Sequence, residues 1–337
     1  MPANRNLLGI ASLIFGVMLF STQDAIIKSI SNDHAVTLAM AIRCIVALPL
    51  LLLLVHFECG IAKLRSPLFW ALVMRGGILL VAYTTYYMGL PALPLAEAIA
   101  LFFAAPIIVT ILSVPMLGEK VSGQSWAAIA LGFIGVLVIL QPGTALFNPA
   151  ALFSLVSAAT YALAMVIARR LGVTESATVM AFYQNAVYFL GAVLIAAFFA
   201  ITGIDQLGHP SFDFLVRAWA WPNNYDLFLM GVCGVIAAVA MSLLTNAYRT
   251  ADANLVTVFE YTGMIWSPLW GFLFFSEIPR WTTVAGLGHI FVAGLISVRL
   301  AATRPPQSYQ MQSDTKQLNT KPSQPLTAKP KSGNSVP

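Results

Sequence analysis

Charge is what this sequence has least of. Only 9% of its 337 residues are Asp, Glu, Lys or Arg, against about 25% in an ordinary soluble domain. So few cannot cover a water-facing surface, which excludes a soluble globular enzyme. Cysteine is scarce as well. Cys44, Cys59 and Cys233 lie in or beside apolar runs with no C-x-x-C spacing, so they read as buried thiols rather than a disulfide framework. There is no G-x-x-x-x-G-K-[ST] loop for ATP, no H-E-x-x-H or other metal spacing among His34, His56, His209 and His289, and no G-x-S-x-G elbow. For an enzyme, Glu260 with His289 is the one loose acid–base pair left, and no cofactor is expected. A cleavable leader is missing too: the first apolar run continues to about residue 30 with Asp24 and Lys28 inside it, and no A-x-A-like site follows. It reads as a retained first span.

What is there is apolar. Hydrophobic residues make up 59% of the chain and the mean hydropathy is +0.82. The formal net charge of +5 is mostly a tail. Residues 303–337 hold Arg304, Lys316, Lys321, Lys329 and Lys331 against Asp314, while the body is nearly neutral. The charge therefore gives no reason to expect a nucleic-acid partner. The tail is rich in Pro, Ser, Gln, Thr and Lys, cannot bury enough surface to fold alone, and reads as disordered and cytoplasmic, with weak attraction to anionic lipid.

A membrane-crossing helix needs about 20 mostly apolar residues. Breaking the chain at polar and Pro/Gly-rich points gives ten such segments, at 6–30, 36–57, 67–89, 95–117, 123–141, 149–170, 177–201, 225–248, 254–276 and 281–301. The expected fold is an all-α membrane protein of ten transmembrane helices. The runs are apolar on every face, which excludes a β-barrel. With the N-terminus inside, Arg5, Lys63, Arg65, Lys120, Arg169, Arg170, Arg249, Arg299 and the tail lie on the inner side, and Lys28, Arg217 and Arg280 on the outer. That asymmetry places both termini in the cytoplasm. The connection at about 202–224 carries Trp219 and Trp221, which suit the outer interface; a substrate-gating loop is the alternative.

Two stretches look alike. An offset of 158 carries "GLPALPLAEAIALFF", from Gly89, onto "AYRTADANLVTVFEY", from Ala247, and Glu119 onto Glu277. An offset of 141 sets Lys28 against Arg169. The chain divides into halves of five spans, 1–145 and 146–301, with a tail at 302–337. Five is odd, so the second half enters the membrane from the opposite side, and the halves form an inverted repeat of the kind found in secondary transporters.

On these paired helix–acidic-turn–helix units the chain resembles the EamA-type drug/metabolite transporter superfamily, over roughly residues 6–301. The units are "PLAEAIALFFAAPIIVTILSVPMLGEKV" (94–121), followed by "GFIGVLVILQPG" (132–143), and the second copy with Ser276-Glu277 and "GLGHIFVAGLIS" (286–297). "STQDAIIK" (21–28), "RCIVALPLL" from Arg43 and "RGG" (75–77) resemble one ten-helix bacterial branch of it. The resemblance implies a carrier with a central cavity that moves small metabolites. One departure concerns the ninth span. Met264 stands where the repeat expects a proline like Pro106, and Pro268 comes four residues later, so the kink there is expected one turn further along.

An ionisable side chain within a span is costly and should face the bundle interior with a partner. Depth along the spans groups Asp24, Lys28, Arg43 and Glu97 in the outer half and Arg75 with Glu260 in the inner half, each group summing to zero. They read as two gate-side clusters that bind substrate or protons, or as static ion pairs between helices. Asp24 and Lys28, four apart, share a helix face, and Arg249 and Asp252 are expected to pair locally. Glu119 and Glu277 lie in the repeat turns and are expected to cap the following helix. Tyr83 with Tyr87, and Trp266 with Trp270, share helix faces, as packing or as the wall of a site for a partly planar ligand. His289 reads as a hydrogen-bonded structural residue.

The expected protein is a secondary carrier of the cytoplasmic membrane, monomer or homodimer, with lipid and a small-molecule substrate as partners and protons as the candidate coupling ion. The resemblance implies export of amino acids or related zwitterions, or uptake of a planar metabolite such as riboflavin or S-adenosylmethionine; direction is not encoded in the residues, and the balanced charges favour a zwitterion. The tyrosine-rich third span favours a planar ligand, so the two readings stay open. A membrane scaffold or sensor is the reading from another class.

Overall fold

The structure is a computed structural model that describes residues 2–118, 123–144, 147–171, 175–250 and 259–302. Among these residues the regular structure is all helical: α1 (Pro2–Ser29), α2 (Val36–Glu58), α3 (Phe69–Gly89), α4 (Leu95–Phe102), α5 (Ala105–Leu117), α6 (Gly123–Leu140), α7 (Ala151–Leu171), α8 (Ala177–Thr202), α9 (Pro210–Val216), α10 (Asn224–Thr250), α11 (Gly263–Phe275) and α12 (Trp281–Ala302), with a 3-10 turn at Ile61–Leu64. Seven segments are long and apolar enough to cross a membrane, α4 and α5 together counting as one; Trp126–Leu140, Gly263–Phe275 and Trp281–Ile296 are shorter apolar helices. Large apolar side chains such as Leu53, Phe57, Leu194, Phe198 and Ile201 stand exposed, as suits surfaces solvated by lipid. Glu119, Asp252 and the tail from residue 303 lie outside the described residues.

The fourth segment is broken. α4 stops at Phe102, Phe103 and Ala104 turn, and α5 restarts with Pro106 near its N-terminus, where a missing N–H costs nothing. The break in the ninth segment falls at Tyr261–Thr262, before Gly263, which is the same place at an offset of 158. This corrects the expectation of a kink displaced towards Pro268. No proline is needed there, because the Thr262 hydroxyl donates back to the Phe259 carbonyl (2.7 Å) and competes with the helix. The two breaks meet: a Cβ on Gly263 would lie 3.1 Å from the Phe103 ring. Both second pieces end on a left-handed residue, Gly118 at φ 70° and Ser276 at φ 54°.

In lipid, helices gain no hydrophobic term from each other and associate through close packing. Small residues provide it. α6 and α12 cross at Gly135 and Gly286, where a Cβ on either would come within 2.7 or 2.6 Å of the other's carbonyl oxygen. α10 reaches α2 through Gly234, beside the Arg43 carbonyl. The principal packings are α1 on α10, α3 on α7, α2 on α8 and α10, α3 on α8, α4 and α5 on α7, and α11 on α1 and α4.

Call the end of the bundle where α1 finishes the near end. There the connection after α8 folds back onto the α1–α2 turn. Arg217 donates to the Ser31 and His34 carbonyls, the Trp219 indole donates to Thr37, and His34 meets Asp226 at 2.8 Å.

Candidate functional site

The polar interior lies between α1, α2, α3, α7 and α8. α2 starts at Val36, so Arg43 stands about 10 Å along its axis. Gly234 opposite lets α10 close over it. Arg43 is 3% exposed and Arg75 5%. The Arg43 guanidinium lies 5.9 Å from the Tyr83 ring. Its Nε and Nη1, and the Nε of Arg75, find no acceptor among the described residues. Tyr83 and Tyr188 neighbour both arginines.

The rings form two connected runs. Tyr87, Tyr83 and Tyr188 follow one another at centroid distances of 6.1 and 5.3 Å. Tyr86, Phe102 and Tyr161 follow at 5.2 and 5.1 Å. Hydroxyls and amides fix them: Tyr86 donates to Asp24 (3.1 Å), Gln23 donates to the Tyr87 oxygen (3.0 Å), and Tyr188 donates to the Leu79 carbonyl (3.1 Å). This cluster, buried or half-buried and self-contacting in the present conformation, carries flat apolar ring faces and a few fixed polar points.

A second group closes the near end. Lys28 pairs with Glu277 and donates to the Leu93 carbonyl (2.5 Å). Arg280 pairs with Glu97, whose side chain is 2% exposed. The other Glu277 oxygen takes the N–H of Leu95, the first residue of α4 (2.8 Å). The turn between α11 and α12 is thereby fastened to α1 and α4.

This geometry revises several expectations. The outer cluster of Asp24, Lys28, Arg43 and Glu97 does not form. Lys28 and Glu97 turn to Glu277 and Arg280, whereas Asp24 and Arg43 lie against Tyr86 and Tyr83 in the tyrosine cluster. Sharing a helix face does not pair Asp24 with Lys28, since each finds a partner on another helix. Arg75 and Glu260 make no ion pair with each other; Arg75 lies among the tyrosines, and Glu260 precedes the α11 break. Glu277 caps α4 in the other half of the chain, not α12. Tyr83 and Tyr87 do share a face. Trp266 and Trp270 sit on α11 with their indole N–H groups buried and without acceptors among the described residues. His289 Nδ1 lies 2.8 Å from the Ala285 carbonyl oxygen. Sequence reasoning missed Phe102 and the roles of Glu277 and Arg280. The available signal was that both lie in one turn at the end already assigned to Lys28 and Glu97.

Comparison with known proteins adds independent findings. The model of the EamA-like transporter family matches residues 7–141 and 148–299. An S-adenosylmethionine uptake transporter of Rickettsia prowazekii is 26% identical over 291 residues, 86% of this chain and 92% of its own. A riboflavin transporter of Rhizobium johnstonii is 29% identical over 242 residues, 71% and 74%. A pseudopaline exporter of Pseudomonas aeruginosa is 26% identical over 293 residues, 86% and 95%. A solved crystal structure at 19% identity covers 89% of this chain and 98% of its own with a TM-score of 0.58, a likeness of fold.

Proposed function

The chain belongs to the EamA-like transporter family, and on that premise we propose a secondary carrier that binds a small metabolite at the tyrosine cluster, which opens for it, and exposes it to one membrane face at a time. The observation that carries this reading is that both near-end ion pairs, Lys28–Glu277 and Glu97–Arg280, run from one half of the chain to the other. They form a gate, shut in this conformation. Arg43, Arg75, Asp24, Tyr83 and Tyr87 belong to the substrate site behind it. Trp266 and Glu260 border the path on the α11 side. Asp24 is the acid assigned to proton coupling.

Ten spans in two inverted repeats, 1–145 and 146–301, complete the architecture. The matched breaks and left-handed caps at an offset of 158 support it. So does the packing: exchanging the halves turns α1 on α10 into α3 on α7, and α2 on α10 into α3 on α8, while α2–α8 and α6–α12 map onto themselves. The basic residues support a cytoplasmic-membrane protein with both termini inside and the near end outside. Relatives include an uptake transporter, a riboflavin transporter and an exporter. Rings beside charges suit a metabolite with a planar part and a charged one.

Counterflow of radiolabelled solutes in proteoliposomes, with and without a pH gradient, tests the proposal. A Lys28→Cys/Glu277→Cys protein, oxidised to a disulfide, should lose transport and regain it on reduction. Full transport by the cross-linked protein would refute the gate.

A further inference from the structure

We propose that Arg43 and Arg75 form an anion subsite, so that the substrate carries a carboxylate which these guanidinium groups receive while its planar part lies against Tyr83 and Tyr188. The inference rests on the carrier reading and narrows its substrate class. A guanidinium taken out of water needs its donors satisfied and its charge answered, or it is a standing penalty on the fold. Neither arginine meets that requirement. Both are more than nine-tenths buried, and Arg43 Nε and Nη1 and Arg75 Nε point to no acceptor among the described residues. Neither makes an ion pair with a described carboxylate. Asp24 interacts with Arg43 through its charge but without an ion-pair contact, and its Oδ2 accepts from the Tyr86 hydroxyl. The contrast with the near end is informative, because there Lys28 and Arg280, also cations in a span or at its edge, each hold a glutamate. Among the described residues, then, carboxylates pair with the cations of the gate and none forms an ion pair with Arg43 or Arg75.

The rings explain why an anion and not simply an extra acceptor is wanted. Tyr83 presents its face towards Arg43, which answers the cation weakly and without accepting a directed hydrogen bond. Tyr188 spends its hydroxyl proton on the Leu79 carbonyl, and the Tyr87 oxygen is engaged by Gln23. A carboxylate supplies acceptor and charge together and makes the strong, charge-assisted kind of bond. Because both arginines share Tyr83 and Tyr188 as neighbours, and these two rings touch at 5.3 Å, a substrate ring laid against the pair would place an attached carboxylate within reach of one guanidinium and leave the second as a site further along the path.

Purified protein in nanodiscs of phosphatidylcholine, where no anionic headgroup is present, provides the test. Thermal stabilisation is measured with matched probes: S-adenosylmethionine beside its decarboxylated analogue, L-tyrosine and L-tryptophan beside their amides, and riboflavin as a planar ring without a carboxylate. Stabilisation that follows the carboxylate within a pair supports the subsite. Equal stabilisation by both members, or by riboflavin above the acids, overturns it. Arg43→Gln and Arg75→Gln should each weaken binding of the acidic probe about tenfold or more, by the strength of a charged hydrogen bond, and Arg43→Lys should recover part of it. The amide or decarboxylated partner should be indifferent to the substitutions. Without ligand the Gln variants should melt at or above the wild-type temperature, as removing an unanswered charge predicts; a large fall in melting temperature with unchanged binding would assign the arginines to the scaffold and sink the proposal. Carboxylate-dependent binding without counterflow of the same probe would refute the carrier and leave the subsite standing.

Discussion

At the scale of the residue, Glu277 carries the most connections. One oxygen takes Lys28 and the other the Leu95 N–H, so it is both an ion-pair partner and the N-cap that Pro94, lacking a suitable side chain, does not provide for α4. Removing it leaves a partly buried ammonium and an uncapped helix. Glu277→Ala should cost about 1–3 kcal/mol of stability in detergent, the penalty for orphaning a buried polar partner. Lys28→Met in the Glu277→Gln background should cost much less than Lys28→Met alone, which a double-mutant cycle of melting curves reads directly. Additive losses would mean the pair is incidental. Ion pairs of this kind were only half legible in the sequence. Depth along a span is readable from residue count, and it placed Lys28 and Glu97 correctly at one end. The partner was not readable, because Glu277 is 249 residues from Lys28 and Arg280 is 183 from Glu97. Charge balance within a depth is met by many pairings, and the helix face shared by Asp24 and Lys28 pointed to the nearest one.

Helix limits were the most legible feature, since hydropathy and length govern them: the observed limits fall close to the segments read from the sequence. The breaks were harder. Pro106 marks the first, but the second comes from a threonine hydroxyl and a glycine, with Pro268 a turn away as a stronger and misleading sign. Helix crossings were not legible at all, because Gly135, Gly286 and Gly288 look equivalent in a glycine-rich run and only the fold says which of them faces a partner. That difference is measurable. Gly135→Ala and Gly286→Ala each force a Cβ against a backbone carbonyl and should cost about 1–3 kcal/mol, as overpacking does. Gly288→Ala meets nothing within 4 Å and should be neutral. Equal melting temperatures for all three would contradict the crossing.

For the whole molecule, the near end faces the outside if the basic residues orient the chain as read. In a Cys59→Ser background, Trp221→Cys on the exposed connection should react with a membrane-impermeant maleimide on intact cells. Lys63→Cys, in the turn between α2 and α3, should react only after permeabilisation. The reverse pattern would invert the topology. At this scale the glycine crossing takes on a mechanical meaning. α6 and α12 bring their backbones together at Gly135 and Gly286, and each glycine also takes a side chain of the other helix, Ile290 at Gly135 and Ile139 at Gly286. Each isoleucine is thus a knob seated in the notch that the facing glycine leaves, on both sides of the carbonyl contact. The crossing therefore works as a keyed joint, which holds the two helices at one register and has no room for a side chain at either glycine.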